Sequence, residues 1–395
     1  MNCKYLILTF LAALIPGIPL HSQVHTGADQ TEKYFPLLQG VPVAVVANRA
    51  SVLTNKHGGE GIHLVDTLFR MGFSVLKIFS PEHGFRGDSE AGAPVGNETD
   101  PSTGIPVISL YGDHVKPTPG DLKDVKMVVF DLQDVGVRFF TYLSTLHYVM
   151  ESCAENNIPL LLLDRPNPNG FYIDGPVLQP GYQSFVGLHP VPVVYGMTIG
   201  EYAQMVNGEG WLKNGARCSL TVIPLEGYDH SLRVGTLIKP SPNLTTLNAI
   251  RLYPSLCFFE GTRVSVGRGT RYPFEVYGDP ELFSGSFFFT PMAIPGMSLH
   301  PPYEGKLCFG ANLQVPQGMA PWPGGSINLF WLISAFKELG SDSAFFNAYF
   351  DLLAGTGQLR KQILEGKTEH EIRKSWEAGI ENFVKIRKKY LIYPD

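Results

Sequence analysis

Five short, mostly apolar runs, each ending in a polar loop, constrain this chain more than any other feature. They are Val41–Ala47, Phe73–Phe79, Ile105–Leu110, Met127–Phe130 and Leu160–Leu163. A strand with one face in water alternates apolar and polar residues, whereas a strand with no polar position needs cover on both faces. Helical spacing appears between these runs. Ile62, Val65, Leu68 and Phe69 form one stripe, and Leu143, Leu146, Val149 and Met150 form another within Tyr142–Asn156. A short helix is expected at Asp121–Asp124, and further strands at Val191–Tyr195 and Ser219–Pro224. Alternating strand and helix predicts an α/β fold with a parallel sheet between helical layers.

The polar loops follow the strands in register. Asn48-Arg49 follows the first, Pro81-Glu82-His83-Gly84-Phe85-Arg86-Gly87-Asp88 the second and Tyr111-Gly112-Asp113 the third. Asp131-Leu132-Gln133-Asp134-Val135-Gly136-Val137-Arg138 follows the fourth, and Asp164-Arg165-Pro166-Asn167-Pro168-Asn169-Gly170 the fifth. In a parallel sheet all five converge on the carboxyl edge, where open α/β folds bind ligands.

Several chemistries are absent from that edge. No Gly-x-Gly-x-x-Gly follows the first strand, and there is no P-loop, no Gly-x-Ser-x-Gly elbow and no His-Glu-x-x-His. Glu82 and His83 are adjacent, so they cannot share a helix face as a zinc pair would. Thr198-Ile199-Gly200-Glu201 reads as a helix capping box, not as a catalytic pair. With 31 basic and 36 acidic residues, a net charge of -5 and no long basic run, electrostatic capture of nucleic acid or of an anionic membrane is not expected. The 25 Phe, 17 Tyr and 4 Trp supply rings chiefly for a core, and for the walls of a carbohydrate or other ring-shaped ligand site.

Residues 1–22 read as a leader and not as structure. Lys4 precedes the apolar run Tyr5–Leu20, and His21-Ser22-Gln23 turns polar, which is the pattern of a secretory signal cleaved near Ser22. The expected location is therefore secreted or periplasmic, with no stable membrane insertion once the leader is removed. Cys153, Cys218, Cys257 and Cys308 remain in the mature chain, none in a Cys-x-x-Cys pair, and no disulfide is assigned.

The second half changes character after Lys239-Pro240-Ser241-Pro242-Asn243. The expected boundaries are 24–240 for the first domain and 241–395 for a smaller second one. A helix is expected over Thr245–Leu256, followed by a mixed strand and Gly-rich loop from Phe258 to Thr270 that carries Glu260 and Arg268. A carboxylate buried in an apolar stretch has a raised pKa, which suits a general acid. Glu260 fits that description, and so does a turn cap beside Gly261. The remaining helices are Ser326–Leu339, Ser343–Leu353 and Glu369–Lys388, the last with the core stripe Ile372, Trp376, Ile380 and Phe383.

Four segments taken together resemble one family. Pro81-Glu82-His83-Gly84, the run from Asp131 to Arg138, Asp164-Arg165-Pro166-Asn167-Pro168 and Glu260-Gly261-Thr262 are similar in kind and order to the NamZ exo-β-N-acetylmuramidases, once known only as a domain of unknown function. The likeness runs from about Val41 to the C-terminus. It implies a Rossmann-like parallel-sheet domain without a dinucleotide site, joined to a smaller α/β auxiliary domain. The site would lie in the cleft between them. It also implies release of N-acetylmuramic acid from the non-reducing ends of peptidoglycan fragments, with no cofactor and no metal.

Glycoside hydrolysis generally uses two carboxylates flanking the bond, and Glu82 and Glu260 are the expected pair, with His83 orienting the first. If the sugar's own acetamide attacks instead, one protein carboxylate suffices as acid/base. The lactyl carboxylate of the sugar calls for an Arg fork, for which Arg86, Arg138, Arg165 and Arg268 are candidates. Asn48, Asp131, Gln133, Tyr142, Asp164 and Asn167 complete the expected substrate-binding set. Two other classes fit the same pattern. One is a non-catalytic periplasmic sugar-binding protein. The other is a metal-assisted hydrolase with Asp131, Asp134 and Asp164 as oxygen ligands.

Overall fold

The computed structural model describes residues 24–54, 61–87, 98–316 and 318–395, so the expected leader and Asp88 lie outside the described residues. A seven-stranded sheet forms the first half. Its strands are β1 (Val43–Ala47), β2 (Val75–Ser80), β3 (Glu98–Thr99), β4 (Pro106–Ser109), β5 (Met127–Asp131), β6 (Leu160–Leu163) and β7 (Leu220–Ile223). The spatial order is β3-β4-β2-β1-β5-β6-β7. Every pairing is parallel except that of the two-residue edge strand β3 with β4. β1 is buried at all five positions, and its side chains divide by the pleat. Ala44 and Val46 enter one core cluster, while Val43, Val45 and Ala47 enter the other. Two buried faces on a parallel sheet are the physical reason for its mostly apolar runs.

Helices α1 (Thr31–Leu38), α2 (Leu64–Arg70), α3 (Tyr142–Glu155) and α4 (Ile199–Gly208) flank the sheet. α4 starts at the expected capping box, with Glu201 N–H donating to Thr198 Oγ1 and Thr198 N–H to Glu201 Oε2. Val191–Tyr195 departs from expectation. It is extended and buried but forms only single bridges, from Val194 to Val137 and to Asp174. Pro190 and Pro192 remove two N–H donors there, so no ladder can propagate.

The second half contains α5 (Leu247–Leu256), a 3-10 turn at Cys257–Gly261, and a three-stranded antiparallel sheet. That sheet consists of β8 (Val276–Asp279), β9 (Phe287–Phe289) and β10 (Cys308–Asn312), with β10 in the centre. Five further helices follow: α6 (Phe330–Glu338), α7 (Tyr349–Ala354), α8 (Gln358–Leu364), α9 (Glu369–Lys374) and α10 (Glu377–Arg387). The expected helix over 343–353 is broken. Ser343–Phe345 forms a single 3-10 turn, Phe346 is extended, and Asn347 Oδ1 accepts the Tyr349 N–H to start α7 anew. The expected helix over 369–388 is likewise divided, at Ser375-Trp376. The larger core cluster runs without interruption from Ala44 in β1 to Phe383 in α10, so the two halves share one core. Among the described residues no helix is long and apolar enough to cross a membrane.

Candidate active site

The loop after β2 carries the first functional side chain. Gly84 N–H bonds back to Pro81 O, and both His83 and Gly84 have left-handed backbone, with φ of 76° and 75°. A left-handed residue other than glycine costs on the order of 1 kcal/mol or more and persists only where its surroundings enforce it, most often at functional sites. The tight turn brings Glu82 to the carboxyl edge. There Thr141, immediately before α3, donates its hydroxyl to Glu82 Oε2 at 2.7 Å. The Tyr111 hydroxyl, from the loop after β4, also hydrogen-bonds to Glu82. Burial, and then the Glu82 charge and this bond, hold the phenol above its ordinary pKa. The amino end of α3, with its partial positive charge, thus lies beside the carboxylate.

The opposing wall comes from the second half. The 3-10 turn after α5 presents Glu260, whose Oε1 accepts Arg268 Nε–H at 2.6 Å and whose Oε2 lies 3.5 Å from Cys257 Sγ. The Glu260 carboxylate therefore sits against a guanidinium and not in an apolar pocket. Burial alone would lower the Arg268 pKa, but the Glu260 charge and hydrogen bond more than offset it. The Arg268 guanidinium stacks over the Phe274 ring at 5.2 Å. Asn347, the residue that restarts the helix at α7, donates to Glu260 O. Tyr349 follows it and feels burial first, then the charges of Cys257, Glu260 and Glu82, all of which raise its pKa.

Between these walls lies a cavity of about 300 Å³, lined by Glu82, His83, Tyr111, Glu260, Arg268 and Tyr349 together with Phe140, Phe185, Tyr253 and Phe274. This is at the small end of the range for small-molecule sites, about 300–1,000 Å³, and suits one substituted ring better than a long chain.

The structure therefore gathers Glu82, His83, Glu260 and Arg268 around one space. Asn48 and Tyr142 line a neighbouring cavity, hydrogen-bonded to each other at 2.7 Å. The other expected residues turn away from both. Arg86 forms a double ion pair with Asp66 and Asp100. Arg165 is buried in a two-point ion pair with Asp131, at 2.6 and 2.8 Å. Gln133 donates to the carbonyls of Asp134 and Pro166, and Asn167 to that of Met197. Asp164 is buried, accepting from Thr198, Gly200 and Tyr393. Arg138 is buried beneath the cleft and donates to four carbonyls, those of Pro176 and Val191 in the first half and of Leu353 and Ala354 in α7. Of the four arginines proposed for an anion fork, three hold the scaffold. The physical reason is shared: each meets carboxylates or carbonyls of its own chain before it reaches the cleft. The same holds for the imagined metal ligands. Asp131, Asp134 and Asp164 each face a separate set of protein donors, and among the described residues no group of three metal-binding side chains assembles.

Thr141, Tyr253, Phe274 and Tyr349 are site residues that sequence reasoning missed. Tyr111 was visible as the first residue after the third strand. Tyr349 carried no signal, because it stood inside a segment read as continuous helix.

These features define a two-domain α/β protein with a small acidic and aromatic cleft at the carboxyl edge of its parallel sheet. Comparison with known proteins makes the assignment specific. The N-terminal model of the exo-beta-N-acetylmuramidase NamZ family matches residues 43–248 and its C-terminal model residues 251–393. The chain belongs to this family. It is 38% identical over 389 residues to the peptidoglycan beta-N-acetylmuramidase NamZ of Bacillus subtilis (strain 168), covering 94% of this chain and 92% of that one. Crystal structures of two DUF1343 family proteins from Bacteroides fragilis share the fold. One superimposes with a TM-score of 0.85 at 45% identity, covering 95% of this chain and all of the other. The second does so with 0.79 at 28% identity, covering 94% and 99%.

Proposed function

We propose that the protein is an exo-acting glycoside hydrolase that releases N-acetylmuramic acid from the non-reducing ends of peptidoglycan fragments. One observation carries the reading. In a chain matched almost end to end by a muramidase family, Glu82 of one half and Glu260 of the other line a single cavity sized for one sugar. Glu82, fixed by Thr141 and Tyr111, is the general acid that protonates the leaving oxygen as Glu260 or the sugar's own acetamide oxygen bonds to the anomeric carbon, and the base that then takes a proton from the water displacing that group. Glu260, tied to Arg268, faces it as the second charged group. The rings of Tyr111, Phe140, Phe274 and Tyr349 supply apolar faces for the pyranose and its acetamido methyl.

The substrate is outside the cytoplasm, and export through the leader at residues 1–22 fits it. A mature N-terminus near Gln23 is expected, and an intact Met1 on the isolated protein would remove that part of the reading. The activity is tested by incubating the protein with a chromogenic N-acetylmuramide and with the matching N-acetylglucosaminide. Release from the muramide is expected, together with full activity in EDTA. Binding without release would mark a sugar-binding protein instead, and loss of activity in chelator a metal-assisted hydrolase.

A further inference from the structure

The cleft leaves one chemical requirement unmet. N-acetylmuramic acid differs from N-acetylglucosamine by a lactyl ether, which is a methyl and a carboxylate on one carbon. Among the described residues Arg268 is the one Arg or Lys lining the reaction cavity, and its Nε is bound to Glu260. A second cavity, of about 200 Å³, adjoins the first and shares His83 and Ser241 with it. Among the described residues its lining contains two cations, Arg49 and Lys239, and no carboxylate. Among the described residues neither cation takes part in an ion pair. The Arg49 side chain passes along Gly87, where a Cβ would lie 3.0 Å from its Cδ, so glycine at 87 gives Arg49 its path. Pro242 and Met297 provide an apolar wall. Beneath them Asn48 and Tyr142 form a closed floor, since the Tyr142 hydroxyl donates to Pro240 O while accepting from Asn48 Nδ2.

We propose that this second cavity is the lactyl subsite. Arg49 and Lys239 bind the carboxylate, and Pro242 and Met297 take the methyl. The inference rests on the muramidase reading given above and assigns its sugar specificity. It replaces the fork of Arg86, Arg138 and Arg165, whose guanidinium groups are committed elsewhere. His83, common to both cavities, joins the subsite to the cavity that Glu82 lines.

The test compares two chromogenic substrates, the N-acetylmuramide and its lactyl amide, on the wild type, Arg49→Gln, Lys239→Gln and the double variant. Both side chains are exposed, so the variants should fold, and thermal unfolding checks that. Losing a charge-assisted hydrogen bond is worth about tenfold to a hundredfold. The fall in kcat/KM should therefore be at least about tenfold larger on the acid than on the amide for each single variant, and larger still for the double. Equal losses on acid and amide, or no loss on the acid, would overturn the subsite. A wild type that cleaves neither substrate would sink the muramidase reading by itself. Calorimetry with free N-acetylmuramic acid then still decides the subsite: weaker binding in the variants supports it, and unchanged binding rejects it.

Discussion

Replacing Glu82 by Gln is the sharpest perturbation of this site, because it removes a titratable proton while keeping shape. The Gln carbonyl oxygen can still accept from the Thr141 hydroxyl, now at 2.7 Å from Glu82 Oε2, and the side-chain amide remains a hydrogen-bonding partner for the Tyr111 hydroxyl. What is lost structurally is the charge assistance of these bonds, about 1 kcal/mol in total. In a chain of this length that shifts Tm by no more than about 2–4 °C. What is lost chemically is the acid/base group, usually worth about 10²–10⁴ in rate, or roughly 3–5 kcal/mol of barrier at 1.36 kcal/mol per decade. The two effects differ enough in size to be separated. The assay is steady-state release from a chromogenic N-acetylmuramide, with thermal unfolding run on the same preparation. The expected result is kcat lowered at least a hundredfold, KM within a few-fold of wild type and a nearly unchanged melting curve. A folded variant that keeps more than about a tenth of wild-type kcat would refute Glu82 as the acid/base, since that loss is smaller than the range for such a group.

Two further outcomes follow from buried charges outside the cleft. Arg138→Met removes the donor to four buried carbonyls and should cost about 1–3 kcal/mol, read as a lower urea midpoint; a loss under about 1 kcal/mol would show that the carbonyls find other partners. Asp134 is pushed up to about 6 from 3.8 by burial, against the bonds from Tyr195 and the Gly136 N–H. The fold therefore binds this proton more tightly than the unfolded chain does. Its contribution is fully present below about pH 4, declines as pH rises to 6 and is constant above, by roughly 3 kcal/mol in all. Asp134→Asn should flatten that slope in urea unfolding measured from pH 4 to 7, and an identical slope in variant and wild type would exclude Asp134 as its source.

Much of the sheet could be read before the structure because its strands are apolar on both faces, a pattern with few other uses. β1 and β6 appear within two residues of their expected bounds. Where the reading failed, local chemistry intervened. Pro190 and Pro192 prevented a strand in an apolar run, and Asn347 restarted a helix in a segment that looked continuous. In the site, Glu82 was legible from its place after a buried strand and before Gly84. The arginines were not, because a sequence displays a positive charge without displaying the carbonyls that will surround it. Arg138 looks like a substrate ligand until Leu353 and Ala354, more than two hundred residues later in the chain, are seen to receive it. Glu260 illustrates the same limit. Its apolar neighbours Phe258 and Phe259 are buried in the core, while its own side chain meets Arg268 eight residues on.

The Arg138 clasp also bears on how turnover proceeds. Enzymes that close on their substrate do so about a hinge, and a hinge needs two bodies whose facing surfaces can part cheaply. Here parting would strip the Leu353 and Ala354 carbonyls from a buried guanidinium and tear a continuous core. The cleft behaves as a thimble and not as a jaw. Its depth is set before any sugar arrives, so the length of chain it accepts is a property of the empty protein. A cleaved ring leaves through the mouth by which it entered, and the shortened strand must withdraw before its next terminus can be seated. Such a receptor is expected to work distributively, sampling many chain ends once each instead of travelling along one of them.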